Sequence, residues 1–181
     1  MIDRQLSIPT ELPDLTLRTF REEDAFVWAE LTRPFPRTWY GKRRSFDTRG
    51  NRELAATEMY YRMHPNGLAL GAHTQEGLVA RFELTPRSGG IALTEIGYEV
   101  AQPFRQRGYG SAGARAAAQF ALSQLGVQTV FARISEFNVA SQRTAMAAGF
   151  EETGSDGWAI GEYDEMLRFT YAEPLDPDSQ V

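Results

Sequence analysis

The chain contains no cysteine, and only two of its 181 residues are histidine. Without thiols it has no disulfide framework, no thiolate metal site and no cysteine nucleophile. Neither His64 nor His73 has a partner at metal-ligand spacing, so we expect no metal. No apolar run approaches the ~18 residues of a membrane span, and the start, MIDRQLSIPTELPDL, lacks the basic and apolar regions of a secretory signal. These absences favour a metal-free cytoplasmic protein that does not bind membranes.

The composition is that of an ordinary globular protein, with 42% hydrophobic and 24% charged residues. A chain of this length can bury one full hydrophobic core and is short for two domains. We therefore expect a single domain over residues 1–181, with its core at about 15–171 and a polar, disordered tail at 172–181.

Charge is unevenly distributed around the net value of −5. The segment from Arg33 to Arg52 holds seven basic residues and one acid, whereas Glu151 to Glu165 holds six acids and no base. The two patches either steer ligands of opposite charge or are simply solvated surface. The basic segment argues against a polycationic binding partner and for an acidic peptide or a site near RNA, although we expect no direct nucleic-acid binding.

The order of the periodic segments predicts an α/β (α+β) fold. Runs that alternate in period two indicate strands, and apolar spacings of three and four indicate helices. The result is a mixed, mostly antiparallel sheet of about seven strands flanked by about four helices. The strand segments are LTLRTF, LALGAHT, EGLVARFELT, IALTEIGYEV, QTVFARIS, FEETGS and EYDEMLRFTYA; the helices are REEDAFVWAELT, RELAATEMYYRMH, about 111–125, ending at Gly126, and NVASQRTAMAAGF.

The segment RQRGYGS joins the strand IALTEIGYEV to the alanine-rich helix. Free N–H groups and the positive end of a helix dipole meet at such a turn. Gly108 and Gly110 have no Cβ, so a ligand can approach the backbone closely. Arg105 and Arg107 add positive charge, and Ser111 can cap the helix or donate to an anion. The segment predicts a phosphate or pyrophosphate site, but a short Gly-x-Gly pattern alone is weak.

A second motif strengthens this prediction. Asn138 and Ser141 follow the loop, and Gly149-Phe150 closes the pattern after the next helix. The pattern R/Q-x-x-G-x-G/A, a helix, a strand and then N-x-x-S…G-F resembles the GCN5-related N-acetyltransferase (GNAT) superfamily. The segment EIGYEV and the serine after the asparagine are most similar to the RimJ/RimL branch, which acetylates protein N-termini. The resemblance extends over nearly the whole chain and is most specific from Glu95 to Phe150.

The resemblance implies acetyl-CoA as co-substrate, with its pyrophosphate on the glycine loop. It also implies that the strands ending near Val100 and Ser135 splay apart, that the pantetheine arm pairs with the backbone there, and that the strand carries a bulge near Gly97. The residues expected to bind the cofactor are Glu99, Val100, Ala101, Arg105, Gln106, Arg107, Gly108, Tyr109, Gly110, Ser111, Asn138 and Ser141.

Two residues are candidates for catalysis by analogy with the superfamily. Glu95 lies roughly where histone-acetylating relatives place a general base, although a solvent-facing strand carboxylate is the competing interpretation. Ser141 can reach the thiol sulfur, and Asn138 can both hold the pantetheine region, as the resemblance implies, and cap its helix. The chain departs from many members at Ala145, where they have the tyrosine that protonates the thiolate. Ser141 or water must then substitute.

The acceptor is an amine, most consistently a protein or peptide N-terminal α-amine. An α-amine, with a pKa of about 8, is neutral at pH 7 far more often than a lysine at about 10.4. The resemblance makes Trp39, Tyr40 and Glu162 candidates for substrate binding. A small-molecule amine acetyltransferase and a non-catalytic acyl-CoA-binding module remain as alternatives, and either a monomer or a homodimer is compatible with the sequence.

Overall fold

The computed structural model describes residues 6–32, 67–87, 90–158 and 165–171. In these residues eight strands form one sheet. The strands are β1 (Ser7–Pro9), β2 (Thr16–Thr19), β3 (Leu68–Thr74), β4 (Gly77–Arg87), β5 (Gly90–Val100), β6 (Thr129–Ser135), β7 (Phe150–Trp158) and β8 (Glu165–Tyr171). The helices in these ranges are α1 (Glu22–Thr32), α2 (Tyr109–Gln124) and α3 (Val139–Ala147), with a 3₁₀ turn at Gln102–Phe104.

The spatial order of the strands is β1-β2-β3-β4-β5-β6-β8-β7. Every neighbouring pair is antiparallel except β5 and β6, which are parallel because α2 carries the chain back between them. The predicted mixed, mostly antiparallel α/β fold is confirmed. Strand β1 was missed because three residues ending in a proline carry no readable alternation. The predicted helix RELAATEMYYRMH lies outside the described residues.

The register assigns the side chains of β5 to two faces of the sheet. Thr94 is paired with Val130 and Glu95 with Phe131, so successive residues of β5 face opposite sides. Even-numbered positions face α2 and α3, as the contact from Tyr98 to α3 shows. Odd-numbered positions, including Glu95 and Glu99, face the opposite side.

The parallel pairing of β5 and β6 is short. It covers only Leu93–Glu95 against Thr129–Phe131, although both strands continue, to Val100 and to Ser135. The predicted splay is therefore confirmed, and it leaves a gap between the two strands. The bulge expected at Gly97 is absent: the β4–β5 register runs unbroken through that residue and shifts only between Pro86 and Arg87.

Helix α2 packs very closely on the centre of the sheet. A Cβ at Gly113 would overlap the ring of Phe82, at 2.6 Å from its Cε2, and the Phe82 side chain is completely buried on β4. The neighbouring helix positions are small as well, since Ala114, Ala117 and Ala118 are also fully buried. The helix ends at Gln124 with Leu125 as its C-cap, and Gly126, predicted to close it, follows with a φ of 70° that a side chain would strain.

We expect Gly113→Ala to destabilise the protein. The substitution gains about 1 kcal/mol of helix propensity, but a methyl group at this position must displace the Phe82 ring, and overpacking of this kind costs about 1–3 kcal/mol. Denaturant unfolding measures the difference. Gly97→Ala is the control, because its Cβ would meet its nearest neighbour at an ordinary 3.9 Å. Equal stability of the Gly113 variant and the native protein would contradict this close packing.

Candidate active site

The loop between β5 and α2 presents a run of unpaired backbone N–H groups. Gln106 and Gly108 have φ values of 64° and 80°, which turn the chain sharply before the helix begins. Among the residues that the structure describes, the N–H groups of residues 106 to 111 have no hydrogen-bond acceptor. A concave turn of free N–H groups joined to a helix N-terminus is an anion-binding arrangement.

The two loop glycines serve different purposes. Gly108 is the N-cap of α2 in a left-handed conformation, and its Cβ would have room, 3.7 Å from Leu12. Gly110 allows α2 to approach its neighbours, because a Cβ there would lie 3.0 Å from Thr144 Cγ2 and 3.3 Å from Val100 Cγ2. Gly108 therefore fixes the shape of the loop, and Gly110 fixes the distance of the helix from α3 and β5.

Both loop arginines are held by protein groups at the rim of the loop. Arg105 donates from Nε to the carbonyl oxygen of Val100 at 3.1 Å. Arg107 pairs with Glu76 in the β3–β4 turn at 2.8 Å and lies over the Phe104 ring. Both side chains are exposed, so their positive charge is next to the free N–H groups.

Ser111 does not cap α2, contrary to one of the two roles that the sequence offered. The N-cap is Gly108, and the Ser111 hydroxyl donates back to the Gly108 carbonyl at 3.0 Å. Tyr109 is buried and donates to Asp14 at 3.2 Å, which ties the loop to the segment before β2. The side chain of Tyr109 is thus structural, and its contribution to an anion site is its backbone N–H.

The backbone groups that face the gap differ in part from those predicted. The N–H of Ala101 donates to Val79 of β4 at 2.9 Å, so Ala101 faces β4 and not the gap. Since backbone groups alternate sides along a strand, Glu99 also faces β4, whereas Val100 and Tyr98 face the gap. The Ala101 N–H is therefore engaged by β4, and the contacts of Glu99, Val100 and Ala101 with the coenzyme stay predictions; the Val100 carbonyl now accepts from Arg105.

The first turn of α3 borders the same gap. Asn138 is its N-cap, as predicted, and its Oδ1 accepts from the N–H of Ser141 at 3.2 Å. The Ser141 hydroxyl donates to the phenol oxygen of Tyr98 at 3.0 Å, and that phenol donates to the Ser141 carbonyl at 2.8 Å. This pair of bonds links β5 to α3 across the gap.

Sequence reasoning missed Tyr98. Its strand alternation places it on the helix face, but only the fold brings it beside a serine 43 positions later in the chain. Burial raises the pKa of Tyr98 to about 12, and the hydrogen bond from Ser141 offsets part of that rise. Tyr98 therefore remains a neutral phenol over the physiological range. Ala145, at the position where many GNAT members have tyrosine, is completely buried.

The two carboxylates of β5 that face away from α2 are paired with arginines. Glu95 contacts Nε of Arg133 at 3.2 Å and also pairs with Arg87. Glu99 is buried and pairs with Arg81 at 3.3 Å. Burial, and then the nearby charge of Arg133, lower the pKa of Arg87, so Glu95 separates two like charges. These ion pairs favour a structural role for Glu95, and its role as general base stays a prediction.

Three predicted substrate-binding residues, Trp39, Tyr40 and Glu162, lie outside the described residues, as does the basic segment from Arg33 to Arg52. In the described ranges no group of three or more His, Asp or Glu side chains could hold a metal ion. No helix in those ranges is long and apolar enough to cross a membrane.

The glycine loop, the helix it begins and the splayed parallel strands form the arrangement that the resemblance predicted for an N-acetyltransferase. The family model described as an acetyltransferase (GNAT) domain matches residues 14–151, and the chain belongs to this family. The superfamily predicted from the loop and from Asn138 is therefore confirmed, and the protein is an N-acetyltransferase.

Solved structures with the same fold include RimJ, RimL and a polyamine enzyme. Mycobacterium smegmatis RimJ in complex with a CoA disulfide has a TM-score of 0.72 at 16% identity, covering 91% of this chain and 85% of that one. RimL, a ribosomal L7/L12 α-N-protein acetyltransferase in complex with CoA, scores 0.74 at 14%, covering 91% and 97%. Spermidine N-acetyltransferase from Vibrio cholerae, with CoA and spermine, scores 0.68 at 14%, covering 88% and 95%. No curated protein matches the chain in sequence.

We expect the free energy of unfolding to depend on Tyr98 at high pH. Because its pKa is raised to about 12 in the folded protein, the unfolded chain loses this proton first as the pH rises above about 10. The contribution of the protonated Tyr98 phenol to the free energy of unfolding is complete below about pH 10. Up to about 2–3 kcal/mol of it is lost between about pH 10 and 12. Denaturant unfolding from pH 8 to 11.5 should show a steeper decline in the native protein than in Tyr98→Phe. Parallel declines would contradict the shift.

Proposed function

We propose that the protein transfers the acetyl group of acetyl-CoA to a primary amine, most of all the N-terminal α-amine of a protein or peptide, and that residues 1–181 act as one domain. The observation that carries the proposal is the run of free N–H groups at residues 106 to 111, beside the gap between β5 and β6. The loop supplies N–H donors for a pyrophosphate, and the gap is open to an extended chain such as pantetheine. RimL and the spermidine enzyme, both in complex with CoA, support this choice of coenzyme.

We propose that Arg105 moves when the coenzyme binds. In the proposed complex the pantetheine arm pairs with backbone groups of β5 that face the gap, including the carbonyl of Val100. That carbonyl now accepts from Arg105 Nε. The arriving amide therefore replaces an internal hydrogen bond, and the released guanidinium is exposed and free to contact the pyrophosphate. Asn138 caps α3 and keeps its amide N–H₂ for the pantetheine region.

The acceptor is proposed to attack the thioester directly, in a ternary complex. An α-amine requires little help with deprotonation, because its pKa of about 8 leaves a useful neutral fraction at pH 7. The N-terminal acceptor rests on the RimJ and RimL neighbours, and the spermidine enzyme favours a small amine as the second candidate. Trp39, Tyr40 and Glu162 remain proposed contacts to the acceptor.

A thiol-release assay with acetyl-CoA and a panel of amines tests this function. The panel contains peptides with a free α-amine, the same peptides with a blocked N-terminus and an internal lysine, and polyamines. We expect turnover with free α-amines, faster with acidic than with basic peptides, and none with blocked ones. Turnover of polyamines alone would favour the small-amine alternative. Binding of CoA without turnover of any amine would indicate the acyl-CoA-binding module.

We expect Gly108→Asp to weaken CoA binding by at least about tenfold more than Gly108→Asn. Asp and Asn both tolerate the left-handed backbone and have the same shape, so the difference isolates a negative charge beside the proposed pyrophosphate. Calorimetric titration with CoA measures it, and equal unfolding midpoints confirm that both variants are folded. Gly110 is unsuitable for this test, since any side chain there would strike Thr144. Equal affinities of the two variants for CoA would contradict the proposal that the pyrophosphate binds at this loop.

The proposed role of Glu95 as general base is tested by Glu95→Gln. The ion pairs favour a structural role, so we expect the pH dependence of kcat to keep its shape. The free energy of unfolding should fall by about 1 kcal/mol or less, because Arg87 and Arg133 lose the carboxylate between them while water screens both. Glu83→Gln, on the same face of the sheet, is the matched control. Loss of one limb of the pH profile in Glu95→Gln alone would instead restore Glu95 as the base.

A further inference from the structure

Tyr98 and Ser141 make an unusual double contact. The phenol oxygen accepts from the Ser141 hydroxyl and donates to the carbonyl of the same residue, at 3.0 and 2.8 Å. The Ser141 N–H is fixed in turn by Asn138. All three hydrogen-bonding groups of Ser141 are thus held, and its side chain has one defined position at the edge of the gap.

The Tyr98 ring is itself supported by the core. Its centroid lies 6.3 Å from that of Phe82, which is buried beneath α2. A ring packed in this way can present its hydroxyl to α3 with little loss of entropy on coenzyme binding. The position at which many family members have a tyrosine is the buried Ala145 in this chain.

We propose that Tyr98 is a positioning residue, which holds the Ser141 hydroxyl where it donates a hydrogen bond to the departing CoA thiolate. The inference rests on the proposed acetyl transfer. In the free enzyme the neutral phenol accepts the Ser141 hydrogen. A thiolate in the gap is a charged acceptor and forms the stronger bond, so the Ser141 hydrogen turns to sulfur. The phenol hydrogen then turns from the Ser141 carbonyl to the Ser141 hydroxyl oxygen, and this bond keeps that oxygen in place.

The pKa values disfavour a full proton transfer from Tyr98 to the thiolate. The pKa of Tyr98 is about 12, whereas that of a thiol is about 8.5, so a phenol-to-thiolate transfer is uphill by more than three units. In the proposed step the amine nitrogen forms its bond to the carbonyl carbon, and the carbon–sulfur bond breaks with its electron pair on sulfur. The proton of the amine goes to water, and the thiolate is protonated by water after it leaves.

The pKa of the bound CoA thiol tests the proposal without an acceptor amine. Thiolate absorbance in the ultraviolet is followed against pH for CoA bound to each variant, with the desulfo-CoA complex as the blank for tyrosine ionisation. A hydrogen bond to sulfur lowers the thiol pKa, so we expect it to be lowest on the native protein. It should rise by about one unit, a tenfold change in ionisation, in Ser141→Ala and in Tyr98→Phe.

Steady-state kinetics with the best acceptor supply a second measurement. Ser141→Ala should lower kcat by roughly tenfold and Tyr98→Phe by roughly threefold or more, with little change in the KM for acetyl-CoA. The double variant should match Ser141→Ala, because Tyr98 acts only through that hydroxyl. Tyr171→Phe, which removes a phenol hydroxyl from another buried tyrosine on β8, is the control and should leave both measurements unchanged.

The outcomes separate this inference from the proposed function. An active native enzyme in which Tyr98→Phe changes neither the thiol pKa nor kcat, or in which the two substitutions add, overturns the role of Tyr98 alone. A change in unfolding stability without a change in the thiol pKa has the same consequence. If the native protein releases thiol with none of the amines tested, the proposed acetyl transfer is overturned, and the role of Tyr98 is overturned with it.

Discussion

The early end of the pairing between β5 and β6 is the constraint on which the site depends. Backbone groups that leave a sheet need other partners, and an extended ligand can supply them. The loop, the first turn of α3 and the phenol of Tyr98 all border that opening. A gap of this kind persists only if the two strands are held from outside, which the contacts of α2 and α3 provide.

Helix α2 packs so closely that side chains larger than hydrogen do not fit at two of its positions. Gly110 and Gly113 bring α2 against Thr144 and Phe82, and Arg115 of α2 donates to the last carbonyls of α3. The small residues of α2 therefore help to set the separation of β5 and β6. The alanine-rich character of α2, which reads in the sequence as simple helix propensity, is a packing requirement.

The sequence predicted the parts of the site that depend on local rules. The glycine loop and the N-cap at Asn138 follow from turn chemistry and capping, whereas the splay was implied by the resemblance to the GNAT superfamily. The sequence could not show which distant partner a side chain meets. Glu95 has the right position for a base but meets Arg133 from another strand, and Tyr98 gains its significance only from Ser141. Backbone direction at Ala101 was similarly unreadable without the register.

The two outer strands of the described sheet restrict how copies of the chain can associate. Strand β1 has three residues and ends in Pro9, which cannot donate to a further strand. At the other edge, β7 is interrupted twice in register and carries Glu151, Glu152 and Asp156. Such edges discourage strand addition and fibrous aggregation. Extension of the sheet at either described edge is therefore disfavoured as a way for two copies of the chain to associate.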